Sequence, residues 1–162
     1  MRMMRSAVDG SKLGSWKTPL SWLSAPTTAG KRACARGEST TLIVKGRRLI
    51  VPRAGCNVAW FGFADLCAKP LAAPDYLAVT ERFAAVVVEA IPRLTPQQRN
   101  EARRFSILID TLYEARTLQL ASAEAPPEEI YPAGDGSFDF QRTVSRLIEM
   151  QSEDYIANRP RR

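Results

Sequence analysis

At 162 residues and 45% hydrophobic content, the chain has the size and composition of one globular domain. It contains no histidine, which excludes Ser-His-Asp and Cys-His hydrolases, histidine metal sites and histidine acid–base catalysis. The formal charge of +6 sits at one end: residues 1–48 hold ten Lys/Arg against Asp9 and Glu38, residues 49–162 thirteen against fifteen acids, so the basic pI does not mark a specific nucleic-acid-binding fold.

Residues 1–40 are rich in Ser, Thr, Gly, Lys and Arg without a helical or strand period, and are expected to be a disordered or non-family basic extension. They lack a secretory core, while their acid-poor, Arg- and Ser-containing make-up also fits a mitochondrial transit peptide. From Thr41 order begins. Thr41–Lys45 and Arg48–Pro52 are β-branched-rich runs around Gly46-Arg47, which predicts a β-hairpin. Residues 57–63 alternate as a third strand, with Val58 and Trp60 on one face and Ala59, Phe61 and Phe63 on the other. Asp75 opens a helix in DYLAVTERF.

Residues 84–91 form a short, almost wholly apolar run of the kind found in strands buried on both faces. Pro92 ends it. Thr95 as N-cap and Pro96 at the first helical position then start a helix over 96–116, with Ala102, Phe105, Ile109, Leu112 and Tyr113 as its apolar stripe. Leu118–Ser122 is a further strand, so strand, helix and strand make a βαβ unit. Pro and Gly punctuate residues 126–136, with one helical turn at 128–131. The last helix is predicted over 140–157, with Val144, Leu147, Ile148, Gln151 and Tyr155 inward, before a basic tail at 159–162. The fold class is α/β. No apolar run approaches the ~20 residues of a membrane span. Three cysteines, Cys34, Cys56 and Cys67, without a CxxC pair argue against a zinc site or a disulfide framework and suit a reducing compartment.

Three strings carry a family resemblance. FDFQRTVSRLIEMQSEDY (138–155) most distinctively, and FADLCAKPLAAPDYLAV (63–79) and IPRLTPQQRNEARRFSILIDTLYEARTLQLASA (91–123) in the same order along the chain, resemble the C-terminal part of the ZapE-like ATPases. These are P-loop ATPases of the AAA type. The likeness runs from about Thr41 to Ala157, so residues 41–158 are expected to be the C-terminal region of such an ATPase, a partial P-loop ATPase-type fold. The resemblance also gives residues 1–40 a third reading, an upstream truncation or frame disturbance, which it favours.

In complete members the resemblance implies binding and hydrolysis of ATP with Mg²⁺, in cell division or protein remodelling. This sequence contains no GxxxxGK[ST] loop to cradle phosphates. The chain alone is therefore expected to be inactive and to hold neither ATP nor metal. Its expected partner is an intact ATPase subunit or a protein client, in the cytoplasm. The alternative is a non-catalytic protein-interaction module.

Four arginines are the site candidates. Arg104 matches the second arginine of the family's RRF motif, and with Arg103 it is a candidate to act in trans on a neighbour's nucleotide, because a guanidinium stays charged and offers a rigid donor fork to phosphate oxygens. The surface alternative pairs Glu101 with Arg104 and Asp110 with Arg103. Arg142 and Arg146, four apart within RTVSR, repel unless something anionic lies between them; nucleotide phosphate is one candidate, the neighbouring Asp139 and Glu149 the other. Asp65 is read as a helix cap and Cys67 as a small buried hydrophobe. Asp110 and Glu114 lack the third ligand of a metal site, Gly134-Asp135-Gly136 is a turn, and Trp16 and Trp22 are only weakly suggestive of base stacking.

Overall fold

Adjacent runs of alternating residues pair into a sheet that grows strand by strand. A computed structural model describes residues 37–158. The expectations for the rest of the basic extension, for Trp16 and Trp22 and for the 159–162 tail lie outside the described residues. Strand β1 (Glu38–Val44) pairs antiparallel with β2 (Arg47–Gly55), which pairs antiparallel with β3 (Val58–Gly62). The first turn falls at Lys45-Gly46, one position before the expected Gly46-Arg47, because both residues take positive φ, 48° and 80°. That is the twist-compatible two-residue turn, and Gly46 takes its half without steric cost. The second turn uses Cys56 and Asn57, φ 50° and 63°. Cys56 is disulfide-bonded, which corrects the expectation of reduced cysteines. An irregularity between Glu38 and Thr40 gives β2 an extra residue next to Pro52, so Arg53 lies opposite Trp60.

From β3 onward the pairing becomes parallel. Helix α1 (Ala73–Arg82) leads to β4 (Ala85–Ile91), parallel to β3, and α2 (Arg99–Glu114) leads to β5 (Leu118–Ala123), parallel to β4. The expected βαβ unit is present, and α1 makes a second one that the sequence reading did not identify. The sheet order is β1-β2-β3-β4-β5. A short α3 (Pro127–Ile130), then α4 (Ser137–Glu149) and α5 (Glu153–Ala157) complete the chain.

The single C-terminal helix expected over 140–157 is two helices. The Ser152 hydroxyl accepts the Tyr155 N–H at 3.2 Å and starts α5 afresh, so Ile148 and Gln151 are exposed rather than inward. Met150 at the break is buried instead.

Helices cover one face of the sheet. Phe61, Val86 and Val88 from the strands meet Tyr76 and Val79 of α1, Phe105 and Ile109 of α2 and Phe140 and Val144 of α4 in one core. The expected stripe of α2 is buried at Ala102, Phe105, Ile109 and Leu112, while Tyr113 is only half-buried. A second, smaller cluster on the opposite face consists of strand residues alone: Val58, Ala85 and Leu118, with Trp60, Val87 and Leu120 half-buried beside them.

Candidate functional site

The arginines of α2 and α4 divide by what their guanidinium groups touch. Between Phe63 and Lys69 the chain makes a π-helical turn, Ala64–Ala68, in which Leu66 and Cys67 are fully buried. Asp65 accepts the Gly62 N–H at 3.2 Å and pairs with Lys69 at 2.8 Å, so its carboxylate fastens the turn to the end of β3. The carbonyl of Cys67 accepts from Arg104 Nη1 at 3.0 Å. Arg104 thus clamps α2 to this turn, and among the described residues neither Glu101 nor any other carboxylate forms an ion pair with it.

Burial pushes the Cys67 thiol up from its ordinary 9.0 to about 12, with the nearby Arg104 charge opposing the rise. At neutral pH the sulfur is a protonated, inert apolar group. The sign of the linkage follows: the native state holds this proton more tightly than the unfolded chain, so the stabilisation is complete below about pH 9 and is lost as pH rises toward 12. Tyr76, whose hydroxyl donates to Leu66 O at 2.8 Å, is raised by burial as well and acts in the same direction. Urea unfolding should therefore show stability falling above pH 9, by at most about 1.4 kcal/mol per pH unit for each group. Cys67→Ala should remove the earliest part of that decline, and a flat profile in the wild type would refute it.

Arg142 and Arg146 are neutralised across the helix–helix contact. Arg142 Nη2 reaches Asp110 Oδ2 at 2.6 Å, Arg146 pairs with the other oxygen of Asp110, and Arg146 Nη2 reaches Glu114 Oε1 at 3.0 Å. Arg146 also lies over the Tyr113 ring at 4.8 Å. The Tyr113 hydroxyl donates to Glu149 at 2.8 Å, and that bond raises its pKa. The neutralising acids are thus Asp110 and Glu114 of α2; among the described residues neither Asp139 nor Glu149 of α4 pairs with an arginine. The sequence carried a signal for this: carboxylates four apart on one helix match arginines four apart on another.

Beside this network an open groove of about 960 Å³ runs between the first halves of α2 and α4. Arg99, Arg103 and Arg142 line it. Arg99 is held by Asp135 at 2.8 Å. Arg103 is exposed, and no hydrogen bond or ion pair to it is seen among the described residues. Phe138, 88% exposed, stands on the groove wall. Gly136, with φ 82°, turns the chain into α4, and a Cβ at Gly134 would collide with the Tyr131 hydroxyl. The structure therefore brings Arg103 and Arg142 to one groove, places Arg146 in the adjoining ion-pair network, and turns Arg104 toward the π-helical turn. Arg99, Asp135 and Phe138 are not among the sequence candidates, although Arg99 and Phe138 lie in the strings that carry the resemblance and Asp135 in the Gly134–Gly136 turn. Among the described residues no group of three His, Cys, Asp or Glu is arranged to hold a metal ion, and no helix is long and apolar enough to cross a membrane.

The family model described as AFG1-like ATPase matches residues 26–159. The chain is 37% identical over 121 residues to the cell division protein ZapE of Escherichia coli, covering 75% of this chain and 32% of that protein. It is 33% identical over 141 residues to a Schizosaccharomyces pombe protein, covering 70% of this chain and 31% of that one. Lactation elevated protein 1 homolog B of Danio rerio is 31% identical over 146 residues, covering 70% of this chain and 29% of its own length. The chain thus spans about a third of the length of the curated relatives it matches. No solved structure matches it. With a mixed α/β sheet consistent with a partial P-loop ATPase-type fold, and with the family match over most of its length, the chain belongs to the AFG1-like ATPase family as a ZapE-like C-terminal fragment.

Proposed function

We propose that this chain works in trans beside an intact AFG1-like ATPase subunit and does not hydrolyse ATP by itself. The observation that carries this reading is Arg103: of the arginines on the groove, it alone has no hydrogen-bond or ion-pair partner among the described residues, and its side chain is exposed to solvent. ATP and Mg²⁺ do not fit the residues of this chain, which lacks a GxxxxGK[ST] loop to hold the β- and γ-phosphates. What it offers is a fixed cation. A guanidinium placed at a neighbour's transferred phosphoryl group stabilises the charge that spreads over its oxygens, with no proton to be managed. Arg104 then acts as a positioning residue, since its bond to Cys67 O sets the pitch of the helix that presents Arg103. A cytoplasmic setting belongs to the same reading, supported by the likeness to a cell-division protein.

The test mixes this chain with an intact family ATPase and follows phosphate release. Arg103→Ala should abolish the stimulation, a loss of up to about 10³-fold where an arginine finger is rate-determining. Arg104→Ala should reduce the stimulation and also lower the unfolding midpoint. Binding of a fluorescent ATP analogue with Mg²⁺ to this chain alone should be absent up to near-millimolar protein. Saturable binding that weakens on Arg142→Ala or Arg146→Ala would reverse the reading and make those arginines a nucleotide site in their own right.

A further inference from the structure

Two arginines of the groove sit one turn apart on α2. Arg99 and Arg103 are four residues apart, so both side chains leave the same face of the helix, and both line the groove. Like charges at that spacing repel unless an anion answers them. Arg99 is answered by Asp135, Nη1 to Oδ2 at 2.8 Å, whereas Arg103 has no such partner among the described residues.

The Arg99–Asp135 pair differs in kind from the others beside the groove. Arg142 and Arg146 share Asp110, which is only 24% exposed, and those bonds join α4 to α2. Arg99 and Asp135 are 62% and 76% exposed. Pairs so exposed contribute little to stability and part easily. The backbone under Asp135 is nevertheless fixed. The hydroxyl of the buried Tyr131 donates to Asp135 O at 2.9 Å, and the Ser137 N–H closes the turn on Gly134 O at 3.1 Å. Gly136 supplies the left-handed position of that turn. A carboxylate is thus presented to the arginines by a rigid turn, through a contact that the fold does not need.

We infer that Arg99 and Arg103 are the two prongs of one phosphate clamp, and that Asp135 holds Arg99 until a phosphate of a neighbouring subunit's nucleotide displaces it. A phosphate group carries more charge and more acceptor oxygens than a carboxylate, and guanidinium forks suit it. With one prong already taken, the isolated chain has little hold on free nucleotide. Asp139, the other acid on that side of the groove, lies in the first turn of α4, where its charge complements the helix end. The inference rests on the trans-acting reading and adds to it a second phosphate ligand and the group that restrains it.

The first test titrates the full chain with inorganic tripolyphosphate at low ionic strength, by calorimetry. Asp135→Asn, which keeps the turn and removes the charge, should bind several-fold more tightly than the wild type. Adding either Arg99→Ala or Arg103→Ala should cancel that gain. Glu81→Gln, on an exposed acid of α1, controls for net charge and should change nothing. An equal gain from Glu81→Gln overturns the inference, as does a gain at Asp135 that survives Arg99→Ala. The second test, which needs no change in the turn, measures binding of this chain to an intact family ATPase loaded with a non-hydrolysable ATP analogue. Arg99→Ala and Arg103→Ala should each weaken it several-fold, and the nucleotide-free ATPase should bind the wild type several-fold less than the loaded one. A loss at Arg103 with none at Arg99 overturns the clamp and leaves the trans-acting reading standing. No loss at either overturns both. Equal binding to loaded and empty ATPase also overturns the clamp, because the arginines then meet protein acids and not phosphate.

Discussion

Phe105→Ala should cost about 3–5 kcal/mol of folding stability, the range for a large aromatic truncated in a core. The ring is fully buried, with the Phe63 ring centroid at 5.7 Å and that of Phe140 at 6.2 Å. It therefore joins the end of β3, helix α2 and helix α4. Deleting it removes apolar surface from burial and leaves a cavity that three separate elements would have to move together to close. Against a total of about 5–15 kcal/mol for a domain of this kind, that is a large share. Urea unfolding should show the midpoint falling with the slope unchanged. Phe138→Ala, on a side chain that is almost fully exposed, should stay within about 0.5 kcal/mol. A loss at Phe105 below about 1 kcal/mol would mean that α4 does not pack on α2 as described.

Asp75→Ala should cost about 2–3 kcal/mol, for a reason that the ion pair alone would not predict. Its carboxylate is 2% exposed. It accepts the Ala72 N–H at 2.9 Å and two bonds from Arg47 Nη2, at 3.1 and 3.0 Å. Losing the carboxylate leaves the donor at the start of α1 without its partner in a partly buried place. Arg47 is 56% exposed and can turn to water. Arg47→Ala should cost about 1–2 kcal/mol, less than Asp75→Ala, because the buried carboxylate loses its countercharge but keeps the Ala72 N–H. Asp75→Asn, which keeps an acceptor for the N–H, should fall between the two. Equal losses at Arg47 and Asp75 would show that the charge pair, not the cap, holds β2 to α1.

Much of this architecture was legible because β-branched runs and proline-marked starts are local signals. The hairpin, the third strand, the apolar run before Pro92 and the stripe from Ala102 to Leu112 all announce themselves within a few residues. Pairing direction is different. Nothing in residues 57–63 says that their neighbour across the sheet is 85–89 rather than another hairpin strand, because that depends on how α1 packs. The end of the chain misled for the opposite reason: apolar spacing continues through to Tyr155, and it outweighed the Ser152-Glu153-Asp154 start signal that breaks the helix. At the groove, Arg142 and Arg146 were recognisable, but their partners were sought on their own helix. Asp110 and Glu114 became the partners only through packing 32 residues apart in the chain.

The sheet order bears on how the molecule acquires its structure. Because β1 to β5 lie side by side in chain order, each strand pairs with the one before it and none waits for a later segment to be inserted between neighbours. Assembly can therefore proceed by addition during synthesis, with the hairpin made first and each crossover helix closing over the strand just laid down. The slow events should be the two parallel pairings, where a helix of 10 or 16 residues must be gathered before any hydrogen bond across the sheet repays the loop.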